Sequence, residues 1–318
     1  MIVKPRALNP GDKIAIVAPS SPADPDRLEK GADAFRTLGL EPVIYPSCTK
    51  AHGHLAGLDR ERARDLNEAF AAQEIRGIVC MKGGAGSYRL LPLLDYDLIR
   101  ANPKVFIGYS DITALHMALN KLCRMVTYHG PMLISDLFLG ANKLESYTLA
   151  SYEQALFGTK ALGRLDNPPG EEMATLVEGA AQGELIGGNL SLLVSTLGSP
   201  WELEVKDKIL FIEDVGEAAY RVDRMLNALA LAGKFRDCAG VILGTWSNCK
   251  PEKKGGYDGY DLPLQTIFEE VIRPWGKPTI QNLRAGHNYP APTLPFGVQV
   301  GIDANRREIA FLEGANTQ

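Results

Sequence analysis

The sequence predicts an α/β protein of two domains. The N-terminal domain holds a parallel sheet with flanking helices, and the C-terminal α/β domain is rich in strands. Three observations carry this. Short, wholly apolar runs such as Ile14-Ala15-Ile16-Val17-Ala18 recur along the chain, as strands covered on both faces should. Helical patterns separate those runs, which implies βαβ crossovers. The alternation fades after Gly130 and restarts near Gln182, and 318 residues is room for about two domains. The expected division is 1–130, a connection over 131–179, and 180–318.

Element by element, the apolar run at 14–18 is the first strand. Pro22 to Leu38 reads as a helix, with Leu28, Ala32, Phe35 and Leu38 at helical spacing and Gly39 as its stop. Val43-Ile44-Tyr45 is a strand, and Asp59 to Phe70 a helix whose Arg60, Glu61, Arg62 and Arg64 form a charged face. Gly77 to Met81 and Val105-Phe106-Ile107 are the next strands. In the connection, Gly140, Gly158, Gly163 and Asn167-Pro168-Pro169-Gly170 break regular structure, with a helix expected over Tyr147 to Phe157. The second half then gives Glu184 to Asn189, a helix from Leu190 to Leu197, a strand Ile209 to Glu213, a helix Tyr220 to Leu231 and a strand Gly240 to Gly244. Phe296 to Gly301 and Ile309 to Leu312 read as a closing hairpin.

Composition excludes several classes. A net charge of -4 gives no electrostatic case for nucleic acid or an anionic membrane. No apolar run reaches the ~18 residues that span a bilayer, and no secretory h-region follows the N-terminal basic residues. The five cysteines are scattered, odd in number and never spaced Cys-x-x-Cys, which argues against a disulfide framework and a zinc site. A cytoplasmic protein is expected.

The most informative stretch is Lys104-Val105-Phe106-Ile107-Gly108-Tyr109-Ser110-Asp111. A buried strand, a glycine that permits a tight turn and a helix starting near Asp111 would place Ser110 at a strand-to-helix turn beside free backbone N–H groups. That is the arrangement of a nucleophile elbow without the Gly-x-Ser-x-Gly pattern; a serine that merely caps a helix is the alternative. A serine nucleophile needs a base, usually histidine oriented by a carboxylate. Of five histidines, His52 and His54 lie in a loop and read as solvated. His116, six residues past Ser110, is about 240° round the helix from it and reads as structural. His129 either lines a cleft or is a buried, hydrogen-bonded group. His287, in Arg284-Ala285-Gly286-His287-Asn288, is a loop histidine open to a functional role. Glu213 ends an apolar strand, where acidic groups of α/β folds face the ligand crevice, or else it caps the next helix. Lys82-Gly83-Gly84-Ala85-Gly86-Ser87 lets backbone approach a ligand and offers N–H groups to an oxyanion, and is otherwise a plain turn.

Jointly, Gly11 to Ser20, Gly83 to Gly86, Gly108 to Asp111, His129-Gly130-Pro131, Gly187 to Leu190, Ile212-Glu213-Asp214 and Gly286-His287 resemble the L,D-carboxypeptidase family of serine peptidases. That family includes muramoyltetrapeptide carboxypeptidases and microcin C immunity peptidases. The resemblance implies a triad of Ser110 as nucleophile, His287 as base and Glu213 as its orienting carboxylate. It implies an oxyanion hole from the backbone at Gly84 and Asp111. It also implies metal-independent release of the terminal D-alanine from murein tetrapeptides in cytoplasmic cell-wall recycling, with no cofactor and a homodimeric assembly. Lys82, Asn189 and Arg221, with Arg89, are the candidates for substrate binding. The family often has an arginine and an aromatic where this chain has Lys82 and Ala85, which bears on substrate preference. Cleavage of peptidyl- or aminoacyl-nucleotides is the same-class alternative, and a two-domain solute-binding protein the different-class one.

Overall fold

A computed structural model describes residues 2–135, 146–252 and 262–318. The chain opens with β1 (Lys13–Val17), α1 (Pro25–Thr37), β2 (Glu41–Ile44), α2 (Asp59–Ala71) and β3 (Ile75–Cys80). There follow α3 (Tyr96–Ala101), β4 (Val105–Gly108), α4 (Thr113–Ala118) and β5 (Thr127–His129). Next come α5 (Ser146–Phe157), β6 (Gly163–Leu165), β7 (Ala174–Val177), β8 (Ala180–Asn189) and α6 (Leu190–Ser195). The last part comprises β9 (Ile209–Val215), α7 (Ala219–Leu231), α8 (Lys234–Asp237), β10 (Gly240–Ser247), α9 (Leu264–Val271), β11 (Thr279–Gln281), β12 (Leu294–Phe296), β13 (Gln299–Asp303) and β14 (Glu308–Phe311).

Two sheets form, as expected of a two-domain α/β chain. The first has the order β12-β5-β4-β3-β1-β2, with β2, β1, β3, β4 and β5 parallel. Its strand order reverses between β1 and β3, and ligand crevices open at the carboxyl ends of strands at such a point. Helices cover both faces. Ala15, Val17, Ile78 and Phe106 pack toward Leu66 and Phe70 of α2, while Ile14, Ile16, Val79 and Ile107 pack toward Leu28 and Phe35 of α1. That is the period-2 alternation of a doubly covered sheet. Each such Val, Leu, Ile or Phe side chain, removed from water, stabilises the fold by about 1.5–3 kcal/mol. Asp24 caps α1 by accepting from the Asp26 N–H at 2.9 Å, with Pro25 in its first turn.

The second sheet has the order β6-β14-β13-β8-β9-β10-β11-β7, with β8 to β11 parallel and the outer strands antiparallel. The two sheets share their packing. Ile112, Leu115 and Met117 belong to one apolar cluster with Ile186, Leu190 and Leu193.

Three features differ from the sequence reading. The segment 163–177 supplies β6 and β7, one to each edge of the second sheet; edge strands of three or four residues carry too little periodicity to be read. Gly140 lies outside the described residues. Phe296 is not part of the final hairpin, which is β13 with β14. It ends β12, antiparallel to β5 in the first sheet, with Leu294 opposite His129. The break falls at Gly297, whose φ is +94° and where a Cβ would sit 2.1 Å from Ile2. Finally, Arg62 is not on a solvated face: it is fully buried and donates to the carbonyls of Pro19 and Gly86. Its guanidinium thereby holds together the loops that follow β1 and β3.

Candidate active site

Ser110 follows β4 through a turn that only glycine allows. At Gly108 a Cβ would meet Ile112 at 2.9 Å. Ser110 itself has φ 65°, left-handed backbone that a non-glycine residue adopts at a cost and that clusters at functional sites. A short 3₁₀ turn, Ser110–Ile112, then leads into α4, so the regular helix begins two residues later than Asp111. The Asp111 carboxylate is buried. It accepts from Ser20 Oγ at 2.5 Å and the Ser87 N–H at 2.8 Å, and its carbonyl accepts from Ser87 Oγ. The residue beside Ser110 thus ties the loops after β1, β3 and β4 into one unit.

The glycine loop after β3 presses on this turn. A Cβ at Gly83 would lie 3.2 Å from Ser110 Oγ and 3.6 Å from the Asp111 nitrogen. At Gly84, φ is +117° and a Cβ would overlap Ser21 Oγ at 2.2 Å. Ser21 N–H donates to the Gly83 carbonyl at 3.4 Å and Ser21 Oγ accepts from the Ala85 N–H at 3.2 Å. Gly84 needs to be glycine for its backbone, a Cβ at Gly83 would crowd Ser110, and the loop backbone faces the serine.

Glu213 and His287 meet at the other wall. Glu213, in β9, is fully buried, and its Oε2 is 2.7 Å from His287 Nδ1. Its neighbour Asp214 points to the opposite face, as strand alternation requires. There Asp214 accepts from Asn189 Nδ2 at 2.8 Å and from the Ser191 N–H and hydroxyl at 3.1 and 2.8 Å. Burial pushes the Asp214 carboxyl up, against the hydrogen bonds from Ser191, Val215 and Asn189. The His287 loop is fixed by β10, where Ser247 Oγ donates to the His287 carbonyl at 3.0 Å. It is also fixed by Gly286 (φ +123°), at which a Cβ would come within 2.6 Å of Glu213 Oε2 and Thr245 Oγ1. Burial pulls the imidazole down. The Glu213 charge and hydrogen bond, with Asp214 behind, outweigh this and hold it above its ordinary value.

Ser110 and His287 line one cavity of about 230 Å³, together with Tyr109, Lys82 and Gly84. No hydrogen bond joins the two among the described residues. The Tyr109 ring lies 5.0 Å from that of His287 and 5.9 Å from that of His129. The second sheet reaches the serine helix directly, since the Asn189 N–H donates to Thr113 Oγ1 at 3.0 Å.

Of the predicted substrate-binding side chains, Lys82 is on the cavity wall. Asn189 is not: it is 3% exposed, with its side-chain amide on Asp214. Arg221 is on the outside of α7, bonded to Tyr220 Oη at 3.0 Å and 3.6 Å from Glu217. Arg89 grips the Asp59 carboxylate through two nitrogens, at 2.9 and 2.7 Å. Arg27 does line the cavity and had no motif to mark it. His116 is buried, bonded through Nε2 to the Gly108 carbonyl at 2.8 Å, and burial drives it down to about 4. His129 is buried as well, but among the described residues neither of its ring nitrogens has a hydrogen-bond partner. It packs on Tyr109, His116, Phe211 and Phe296. His52 and His54 are exposed. Among the described residues no group of three His, Cys, Asp or Glu side chains could hold a metal ion, and no helix is long and apolar enough to cross a membrane.

Residues 14–130 match the LD-carboxypeptidase N-terminal domain, and residues 182–302 the LD-carboxypeptidase C-terminal domain. A protein of Bacillus subtilis named a probable murein peptide carboxypeptidase is 39% identical over 313 residues, 98% of this chain and 95% of that protein. A solved structure of the microcin C7 self-immunity protein MccF superposes with a TM-score of 0.88 at 28% identity, covering 99% of this chain and 100% of that one. A muramoyltetrapeptide carboxypeptidase from Oxalobacter formigenes superposes with a TM-score of 0.82 at 27% identity, over 96% of this chain and 100% of its own. Matched in both halves by the two domain models and along nearly its whole length by these relatives, the chain belongs to the LD-carboxypeptidase family.

Proposed function

We propose that this protein is a serine-type L,D-carboxypeptidase that removes the terminal D-alanine from murein tetrapeptides in cytoplasmic cell-wall recycling. The observation that carries the reading is the buried Glu213–His287 hydrogen bond of 2.7 Å facing a cavity that Ser110 shares. The named murein peptide carboxypeptidase relative supplies the substrate class.

In this reading Glu213 holds the His287 Nδ1–H, which leaves Nε2 as the base. Ser110 Oγ attacks the carbonyl carbon of the last peptide bond and its proton passes to His287 Nε2. The oxyanion is met by the backbone N–H groups at Gly84 and Asp111. Collapse breaks the C–N bond as His287 returns the proton to the departing D-alanine amine. A water, deprotonated by the same imidazole, then hydrolyses the acyl-serine ester and restores Ser110. No step needs a metal or cofactor. We also propose a homodimer.

A second reading, an amidase acting on aminoacyl nucleotides, draws on the likeness to MccF, one structure of which is a complex with aspartyl sulfamoyl adenosine. A long aromatic-bearing specificity loop within 130–180 would favour it; of that region 136–145 lie outside the described residues.

The test is to incubate the protein with a murein tetrapeptide, with chelator present, and follow the tripeptide and D-alanine by mass. D-alanine release that disappears in Ser110→Ala supports the first reading. Cleavage of an aminoacyl sulfamoyl adenosine alone supports the second. Release at the parent rate by Ser110→Ala refutes the serine mechanism.

A further inference from the structure

Two cations line the cavity with Ser110 and His287, and neither has an acidic partner among the described residues. They are Arg27 and Lys82, and they come from distant parts of the chain. The loop after β5 brings them together. Its Leu133 and Ile134 N–H groups donate to the carbonyls of Cys80 and Met81, both at 3.1 Å, so it lies against the end of β3 just before Lys82. Helix α1 rests on the same loop, because Gly31 has no side chain. A Cβ there would sit 2.7 Å from both the Leu133 carbonyl oxygen and Cγ. Arg27 is one turn before Gly31 on the same helix face. One of its terminal nitrogens donates to the Ile134 carbonyl at 3.1 Å. A guanidinium has five donors in a fixed fork, and its remaining N–H groups have no partner among the described residues.

Lys82 lines the same cavity, and the backbone of its chain neighbour Gly83 lies against the serine turn, since a Cβ there would come 3.0 Å from Ser110 Cβ. In a carboxy-terminal dipeptide the free carboxylate lies one residue from the scissile carbonyl, on the order of 4 Å away. The cavity, about 230 Å³, suits one small residue with its carboxylate better than an extended chain. Paired cations are the chemistry that recognises a carboxylate, and acidic neighbours that would silence them are missing from the described wall.

We propose that Arg27 and Lys82 form a carboxylate clamp that selects the free α-carboxylate of the departing residue and so confines this cleft to exopeptidase chemistry. The inference rests on the carboxypeptidase reading above. It identifies Arg27 as a specificity residue and assigns Lys82 its ligand group.

The test compares a murein tetrapeptide with its C-terminal carboxamide, which keeps every atom of the leaving residue except the anionic oxygen. Binding to Ser110→Ala protein is measured by calorimetry, and turnover by the active protein is measured in parallel. The acid is expected to bind on the order of 10- to 100-fold better than the amide, as loss of a charge-assisted hydrogen bond implies. Adding Arg27→Gln and Lys82→Gln together should bring the acid-to-amide ratio toward one, whereas Lys82→Arg should keep it. Circular dichroism checks that each variant is folded. A ratio unchanged in the folded double variant overturns the clamp. So does a parent protein that cleaves acid and amide alike, and in that case the peptidase reading survives. A parent that neither binds nor cleaves the tetrapeptide overturns both.

Discussion

Gly286→Ala is the sharpest test of how the histidine is held. The added Cβ would lie 2.6 Å from Glu213 Oε2, the atom that bonds His287 Nδ1. It would lie equally close to Thr245 Oγ1 and 3.0 Å from Glu213 Cβ, so it presses on both side chains at once. Ordinary contact begins at 3.4 Å, so something must move by roughly 0.8 Å, against a hydrogen bond that tolerates a few tenths of an ångström. The φ of +123° adds backbone strain of about 1–3 kcal/mol for any residue with a Cβ. Misplacement of about 1 Å in a catalytic constellation costs on the order of 10² in rate, and that is the expected loss in kcat/KM for D-alanine release. The pH profile gives an independent reading. The Glu213 carboxylate raises His287 above 6.5, so the parent acid limb should fall above that pH, with activity rising as the imidazole deprotonates. Displacing Glu213 weakens its hold on the imidazolium, so in Gly286→Ala the limb should move to lower pH. A folded variant with the parent kcat/KM and the parent acid limb would refute the argument.

Glu213→Gln should cost less in kcat than Ser110→Ala, because it misorients the base without deleting the nucleophile, and its acid limb should also shift down; a limb that stays in place would show that the carboxylate does not set the histidine. Chelator should leave D-alanine release unchanged, and a loss restored by adding a divalent metal would contradict the serine mechanism. Buried His116 remains neutral in the folded state down to about 4, against 6.5 when unfolded. Between these values the unfolded chain binds the extra proton, so stability falls as pH falls, by about 1.4 kcal/mol per pH unit and about 3 kcal/mol in all. His116→Gln should remove that slope from urea unfolding curves taken between pH 6.5 and 4, and equal slopes in the two proteins would dismiss the assignment. Gly188→Ala should separate the halves around the site, since its Cβ would lie 2.5 Å from Thr113 Oγ1; measured activity and unfolding midpoint equal to the parent's would count against this contact.

The elements legible in the sequence were those whose signal is local. The apolar runs at 14–18 and 105–107 and the glycine before Tyr109 mark strands and a turn without reference to the rest of the chain. Ser110 and Glu213 could be singled out because each ends such a run. Their meeting with His287 could not be derived from spacing, and it entered through family resemblance. Arg27 was invisible because its place on the cavity depends on Gly31 packing against Leu133, about a hundred residues away. Asn189 misled for a related reason. It sits at a strand end beside the site, but the partner that claims its amide is Asp214, on the adjoining strand of the same sheet.

One short strand ties synthesis to assembly. Residues 294–296 complete the outer edge of the first sheet, beside β5. When the ribosome has made only the first half, that edge still shows its free N–H and C=O groups, a template for pairing with another chain. The N-terminal half expressed alone should therefore self-associate, and supplying the missing C-terminal segment in trans should rescue it. The same lacing makes the half that carries Ser110 depend for its completion on a strand made long after it.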